Sequence, residues 1–291
     1  MLPTSADDNL TVEVREVPAR EPAHGWTSSL LFFICAVVYC YGVVHFARIG
    51  VVAEALISVA FVALAAPWFR LQGEWISRVR LLVVESLFNA IALLAKVFLI
   101  LGIATDSALL DNLFAGFFVL QVLGFAVSQI RKRKFAIMPA TMAMAWGLTM
   151  WFLSGAGVSL TSDGALQFWG GDAPVYLRWM YVFWVMGVLL VEYSSLLPKA
   201  TILLTHVASV AVAFNSDEFF HARILTASHF FVINFVLLFE RQGWGGERFV
   251  SIPWLLKVVP QGDDDRWKSV LVAWLVNISC VGTLAVWILR G

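Results

Sequence analysis

LLVVESLFNAIALLAKVFLILGIA, Leu81 to Ala104, decides how the chain is read. It is long and apolar enough to cross the roughly 30 Å hydrocarbon core of a bilayer as a helix. Yet it carries Glu85, Asn89 and Lys96. Offsets of four and seven place these three on one helical face. A lysine at mid-membrane costs at least about 2.5 kcal/mol unless it is paired or reaches water, so that face must look at protein or water. Glu85 and Lys96 lie roughly 16 Å apart along the axis, too far to pair. The expected partners of Lys96 are Asp106 or Asp111 in the following turn, reached by snorkelling. The alternative is an amine that binds an anion, moves protons or forms a Schiff base. Glu85, beside Arg78 and Arg80, is expected to reach cytoplasmic water.

The rest of the chain follows the same pattern. Its 291 residues are 60% hydrophobic and 14% charged, where a soluble domain carries roughly 25% charged residues. Mean hydropathy is +0.82. The class is therefore an all-α integral membrane protein. Apolar runs at about 27–47, 50–69, 81–104, 110–130, 135–156, 175–196, 199–215, 221–240 and 268–289 predict a polytopic bundle of about nine transmembrane helices. They form a single transmembrane domain over 27–291, preceded by a polar tail over 1–26. That tail lacks the basic region and short apolar core of a signal peptide. Its LTVEVREV stretch, from Leu10, alternates like a strand suited to a partner's sheet.

Charge predicts orientation. With the N-terminus inside, 15 of the 20 Lys and Arg residues fall on the inner side. Arg48, Arg178, Arg223 and Arg290 fall outside, and Lys96 lies within the membrane. This positive-inside split predicts N inside and C outside, in a bacterial plasma membrane or an organelle inner membrane. The inner loop 241–267 contains FVSIPWLLKVV, expected to lie in the membrane interface. Asp263, Asp264 and Asp265 suit the N-terminus of the last helix. With the tail 1–26, this loop is the expected docking place for other membrane subunits. Zero net charge gives no basic footprint for nucleic acid. Cys35, Cys40 and Cys280 lie in apolar runs without metal spacing and read as small buried hydrophobes.

Further intramembrane polar groups widen the candidate site. His206 and His229 fall at similar depth on adjacent helices, a placement suited to proton relay or to axial ligation of haem or chlorin. Arg178 and Glu192 stand near opposite ends of the sixth helix. That helix departs from the microbial rhodopsin pattern at Tyr181, where a carboxylate is expected. The last helix also lacks a mid-helix lysine for retinal, so no family is assigned.

A P-loop, GxSxG, HExxH, a dinucleotide turn and HxxxH histidine boxes are all absent from the sequence, which points away from an enzyme. The leading expectation is a transporter- or channel-like protein moving a small solute or protons past Lys96, Glu85, Asn89, Glu192, His206 and His229. One alternative is a non-catalytic subunit of a membrane complex. The other is a haem-, chlorin- or retinal-binding protein using His206 and His229.

Overall fold

A computed structural model describes residues 25–70, 75–103, 108–131, 133, 135–155, 157–162, 164–169, 171–192, 199–237 and 266–290. The polar tail, most of the inner loop and its acidic run therefore lie outside the described residues. The fold is all-α apart from one short hairpin.

Helix α1 (Gly25–Arg48) turns at Gly50 into α2 (Val51–Trp68). The Ile49 amide closes this turn on the Phe46 carbonyl. Then come α3 (Trp75–Ile100), α4 (Ala108–Arg131) and α5 (Met138–Ser154), the last entered through a tight turn over Phe135–Ile137. Strands β1 (Ser159–Leu160) and β2 (Leu166–Gln167) pair antiparallel. Helices α6 (Val175–Gly187, widening over Val188–Glu192), α7 (Lys199–Phe214), α8 (Phe219–Leu237) and α9 (Arg266–Arg290) follow. Among the described residues, seven helical segments are long and apolar enough to cross a membrane, and Val175–Val191 and Leu203–Phe214 are shorter apolar helices. An integral, multi-pass membrane protein accounts for this pattern.

The helices pack as two groups: α1, α2, α3, α7 and α8 in one, α4, α5, α6 and α9 in the other. An aromatic seam joins them. Phe88 of α3 meets Phe114, Phe117 and Phe118 of α4, and Phe118 meets Phe220 of α8. The hairpin loop inserts Phe168 and Trp169 into this seam, both almost fully buried. Trp169 holds φ at 41°, a backbone region costly for a large side chain that persists because the surrounding packing dictates it. Gly155 makes room for Trp169, whose backbone and Cβ occupy the space a side chain at 155 would need.

One end of the bundle gathers the α1–α2 turn, the hairpin, the start of α6 and the α7–α8 turn. There Asp111 accepts the Val158 amide at 2.6 Å, and Arg178 donates to the Ala173 carbonyl at 2.6 Å. At the other end the Arg70 amide bonds the Phe235 carbonyl, and Asn277 bonds the Ala136 carbonyl and the Ala140 amide. Trp68, Trp179 and Trp267 are exposed, a placement that suits the membrane interface. Cys40 and Cys280 are buried as expected, whereas Cys35 faces outward.

Candidate functional site

The amine of Lys96 does not pair with Asp111, the one expected acid among the described residues. Its partner is Glu54 of α2, with Lys96 Nζ 2.9 Å from Glu54 Oε2. Asp106 lies outside the described residues, and Asp111 is engaged with Val158. Glu54 comes into place because α1 and α2 form a tight hairpin and α3 returns beside α2. The second oxygen of Glu54, Oε1, faces His221 Nε2 of α8 at 3.3 Å. Glu54 is 1% exposed and Lys96 3%. A carboxylate held by two potential cations is a stronger answer to burial than snorkelling, because both members leave hydrocarbon together.

The helix around Glu54 is itself unusual. Directly after it, Leu56–Ala60 forms a π turn, which widens the helix and loosens its carbonyls. Two side chains take them up. Ser58 Oγ donates to the Glu54 carbonyl at 2.6 Å, and His229 Nε2 donates to the Ile57 carbonyl at 2.7 Å. Tyr39 of α1 occupies the other ring nitrogen, His229 Nδ1, at 2.7 Å. Phe61 stacks on the ring at 4.3 Å. With both nitrogens engaged, axial ligation by His229 would require breaking one of these bonds.

His206 of α7 faces Arg223 of α8, not His229. A guanidinium only donates, so His206 Nδ1 accepts from Arg223 Nη2 and the ring proton sits on Nε2. Arg223 also donates to Ser209, which shares a short bond with Thr226. At 2% exposed, Arg223 is no outer-loop residue, against the expectation from charge counting. It packs over the Tyr181 ring at 5.9 Å and exerts its field on Glu85. The two histidines thus belong to separate clusters, and the expected pair across one hairpin does not form.

Glu85 is half-buried, with Oε2 shielded and without a hydrogen-bond partner. Asn89 is fully buried and donates to Ser228 of α8 at 3.2 Å, leaving its carbonyl oxygen without a partner. The α3 face predicted from spacing therefore does look at protein, contacting α2 through Lys96 and α8 through Asn89. Glu192 ends the widened turn of α6, and its side chain lies outside the described residues.

A third cluster lies at the hairpin end. Arg48 at the end of α1 bonds Glu218 at 2.9 Å and Ser216 at 3.2 Å, and approaches Asp217 at 3.8 Å. Burial pushes the Glu218 carboxyl above its ordinary range, opposed first by Arg48 and then by His221. Burial likewise raises Asp172, against the pull of its ion-pair partner Arg178. Beside Arg48 a cleft of about 310 Å³ opens between α1 and α7, walled by Val37, Val44 and Val212 and ending at Asn215 and Ser216. Arg48 and Ser216 belong both to its wall and to this cluster.

Sequence spacing brings out Lys96, Asn89 and Glu85 but misses Glu54, His221, Arg223 and Tyr39. The signal for Glu54 was present: it is the one charged residue in the span Val51–Trp68. Among the described residues, no three His, Cys, Asp or Glu side chains converge so as to hold a metal ion. Comparison with known proteins finds no matching family model, no similar curated protein and no similar solved structure.

Proposed function

We propose that the chain is a transporter- or channel-like protein that moves a small solute or protons through the polar interior formed by α1, α2, α3, α7 and α8. The observation that carries this reading is Glu54, the one charged residue of α2, held between Lys96 and His221 in the interior. A buried ion pair is weak evidence for stability, since well-packed apolar residues of the same volume often do as well or better. Intramembrane ionisable groups instead mark ion and proton pathways. Below the triad, Asn89 Oδ1, Ser86 Oγ, Glu85 Oε2 and Arg223 Nε are buried polar atoms with open valences, suited to ordered water or a passing ligand.

In this reading all nine helices cross the membrane, with N inside and C outside. The meeting of alternate connections at opposite ends of the bundle supports it, as does the 15-to-4 split of basic residues. Arg223 refines that split, because it belongs to the buried interior and not to the outer surface.

The test is flux in proteoliposomes. Purified protein is expected to conduct protons or a small ion, and K96M and E54Q to lower the rate at least tenfold while eluting as folded protein. Equal rates in all three would overturn the reading. A silent protein that co-purifies with partner subunits in mild detergent would replace it with an accessory role.

A further inference from the structure

The groups between the cleft and Lys96 alternate in charge: Asp217, Arg48, Glu218, His221, Glu54, Lys96. Arg48 joins Asp217 and Glu218, and Glu54 joins His221 and Lys96. His221 stands between the two sets. Its Nε2 meets Glu54, and its charge acts on Glu218 one turn earlier on the same segment. Side-chain exposure drops from 71% at Asp217 and 26% at Arg48 to 9% or less at Glu218, His221, Glu54 and Lys96. Resting on the transport reading, we infer that the substrate is the proton and that His221 is the exchange group linking the surface pair Arg48–Glu218 to the buried pair Lys96–Glu54.

The chemistry of the groups selects the proton. Arginine stays protonated at any working pH, so Arg48 and Arg223 fix charge without passing it. Carboxylates and imidazole can gain and lose a proton, and imidazole does so near neutrality. In the inward step an O–H bond of Glu218 breaks as an N–H bond forms on the ring. The Nε2–H bond then breaks as an O–H bond forms at Glu54 Oε1, and the ring returns to neutral. Lys96 stays on Oε2 and holds the carboxyl in position through the exchange. The charged groups around His221 are Glu54 of α2, which also holds Lys96 of α3, and Glu218 on its own segment, which is paired with Arg48 of α1. The cleft reaches Asn215 and Ser216, where the Ser216 hydroxyl accepts from both Arg48 and the Glu218 amide.

The experiment uses full-length protein in liposomes holding a pH-sensitive dye, with a potassium gradient and valinomycin setting the potential. Wild type is expected to acidify the lumen. H221A is expected to slow this at least tenfold, and added imidazole to restore most of the rate. H221Q keeps the size of the side chain and guards against a folding defect; it should slow the flux equally without imidazole rescue. In parallel, the ¹⁵N signal of the His221 ring in wild type should titrate with pH, and E218Q and E54Q should each displace the curve. Proton flux unchanged in both His221 variants, or a ring signal that ignores pH, would overturn the inference. If potassium or chloride moves while protons do not, proton transport fails and the broader reading stands. If nothing moves, both fail.

Discussion

The two helix groups bury their contacts by different means. In α1, α2, α3, α7 and α8, side chains meet through charge and hydrogen bonds: Glu54 with Lys96 and His221, Arg223 with His206 and Ser209, Tyr39 with His229. In α4, α5, α6 and α9 they meet through shape. Gly147 of α5 lets Met180 and Leu177 of α6 approach, and Gly187 of α6 admits Val276 of α9. Polar ties there are compact: Gln129, Thr141 and Trp184 join α4, α5 and α6, and Asn277 joins α9 to the start of α5. Small residues and close packing are the ordinary means of joining helices in lipid, where apolar association gains little. The charged group departs from that economy, so its polar interior calls for a functional explanation and the other group does not.

Four measurements would break or sharpen this contrast. The largest effect belongs to K96M, which strands Glu54 and should cost about 3–5 kcal/mol. Thermal unfolding in detergent reads it, and the double variant K96M/E54L should recover much of the loss. A small loss in K96M would mean that His221 alone satisfies the carboxylate. Next is G187L, where even a Cβ at 187 would lie 2.7 Å from Val276 Cγ1. Overpacking of this kind costs about 1–3 kcal/mol. The α6–α9 contact should loosen, seen as faster cross-linking or proteolysis there, with proton flux retained.

Third, Y39F removes the bond to His229 Nδ1 and should cost about 0.6 kcal/mol, the usual worth of one such bond between membrane helices. A far larger loss would show that Tyr39 braces the whole α1–α8 contact. The smallest effect is one of pH. Burial raises the folded value of Glu218, so its contribution to stability is fully present below the ordinary carboxylate range. That contribution is lost as pH rises through the raised value. The melting temperature of wild type should therefore decline over that window, and E218Q should flatten the decline.

Much of the architecture can be read from the sequence because hydrocarbon thickness fixes run length. The helices lie close to the apolar runs, and the tight turn at Arg48–Gly50 is where the charge interrupts them. The same physics flags Lys96 and the α3 face. Its partner escapes because pairing is a tertiary fact: forty-two residues separate Glu54 from Lys96, and nearer acids compete for attention. Arg223 escapes because a cation near a helix start reads as surface until packing shows His206, Ser209 and the Tyr181 ring closing over it. His206 and His229 do share a pair of adjacent helices, but side-chain direction, invisible in spacing, sends them to different partners.

The wide turn of α2 has a consequence for how the chain tolerates change. A π turn is in effect one extra residue carried inside a helix. Removing one residue between Leu56 and Ala60 would let α2 return to regular winding with its two ends still in phase, whereas a deletion in its regular turns would rotate one end by about 100° relative to the other. Glu54 would stay on Lys96 and Phe61 on His229, and only the loosened carbonyls taken up by Ser58 and His229 would be lost. Single-residue deletions here should thus be better tolerated than deletions elsewhere in α2, and the wide turn acts as a local spacer that leaves each half keyed to its own neighbour.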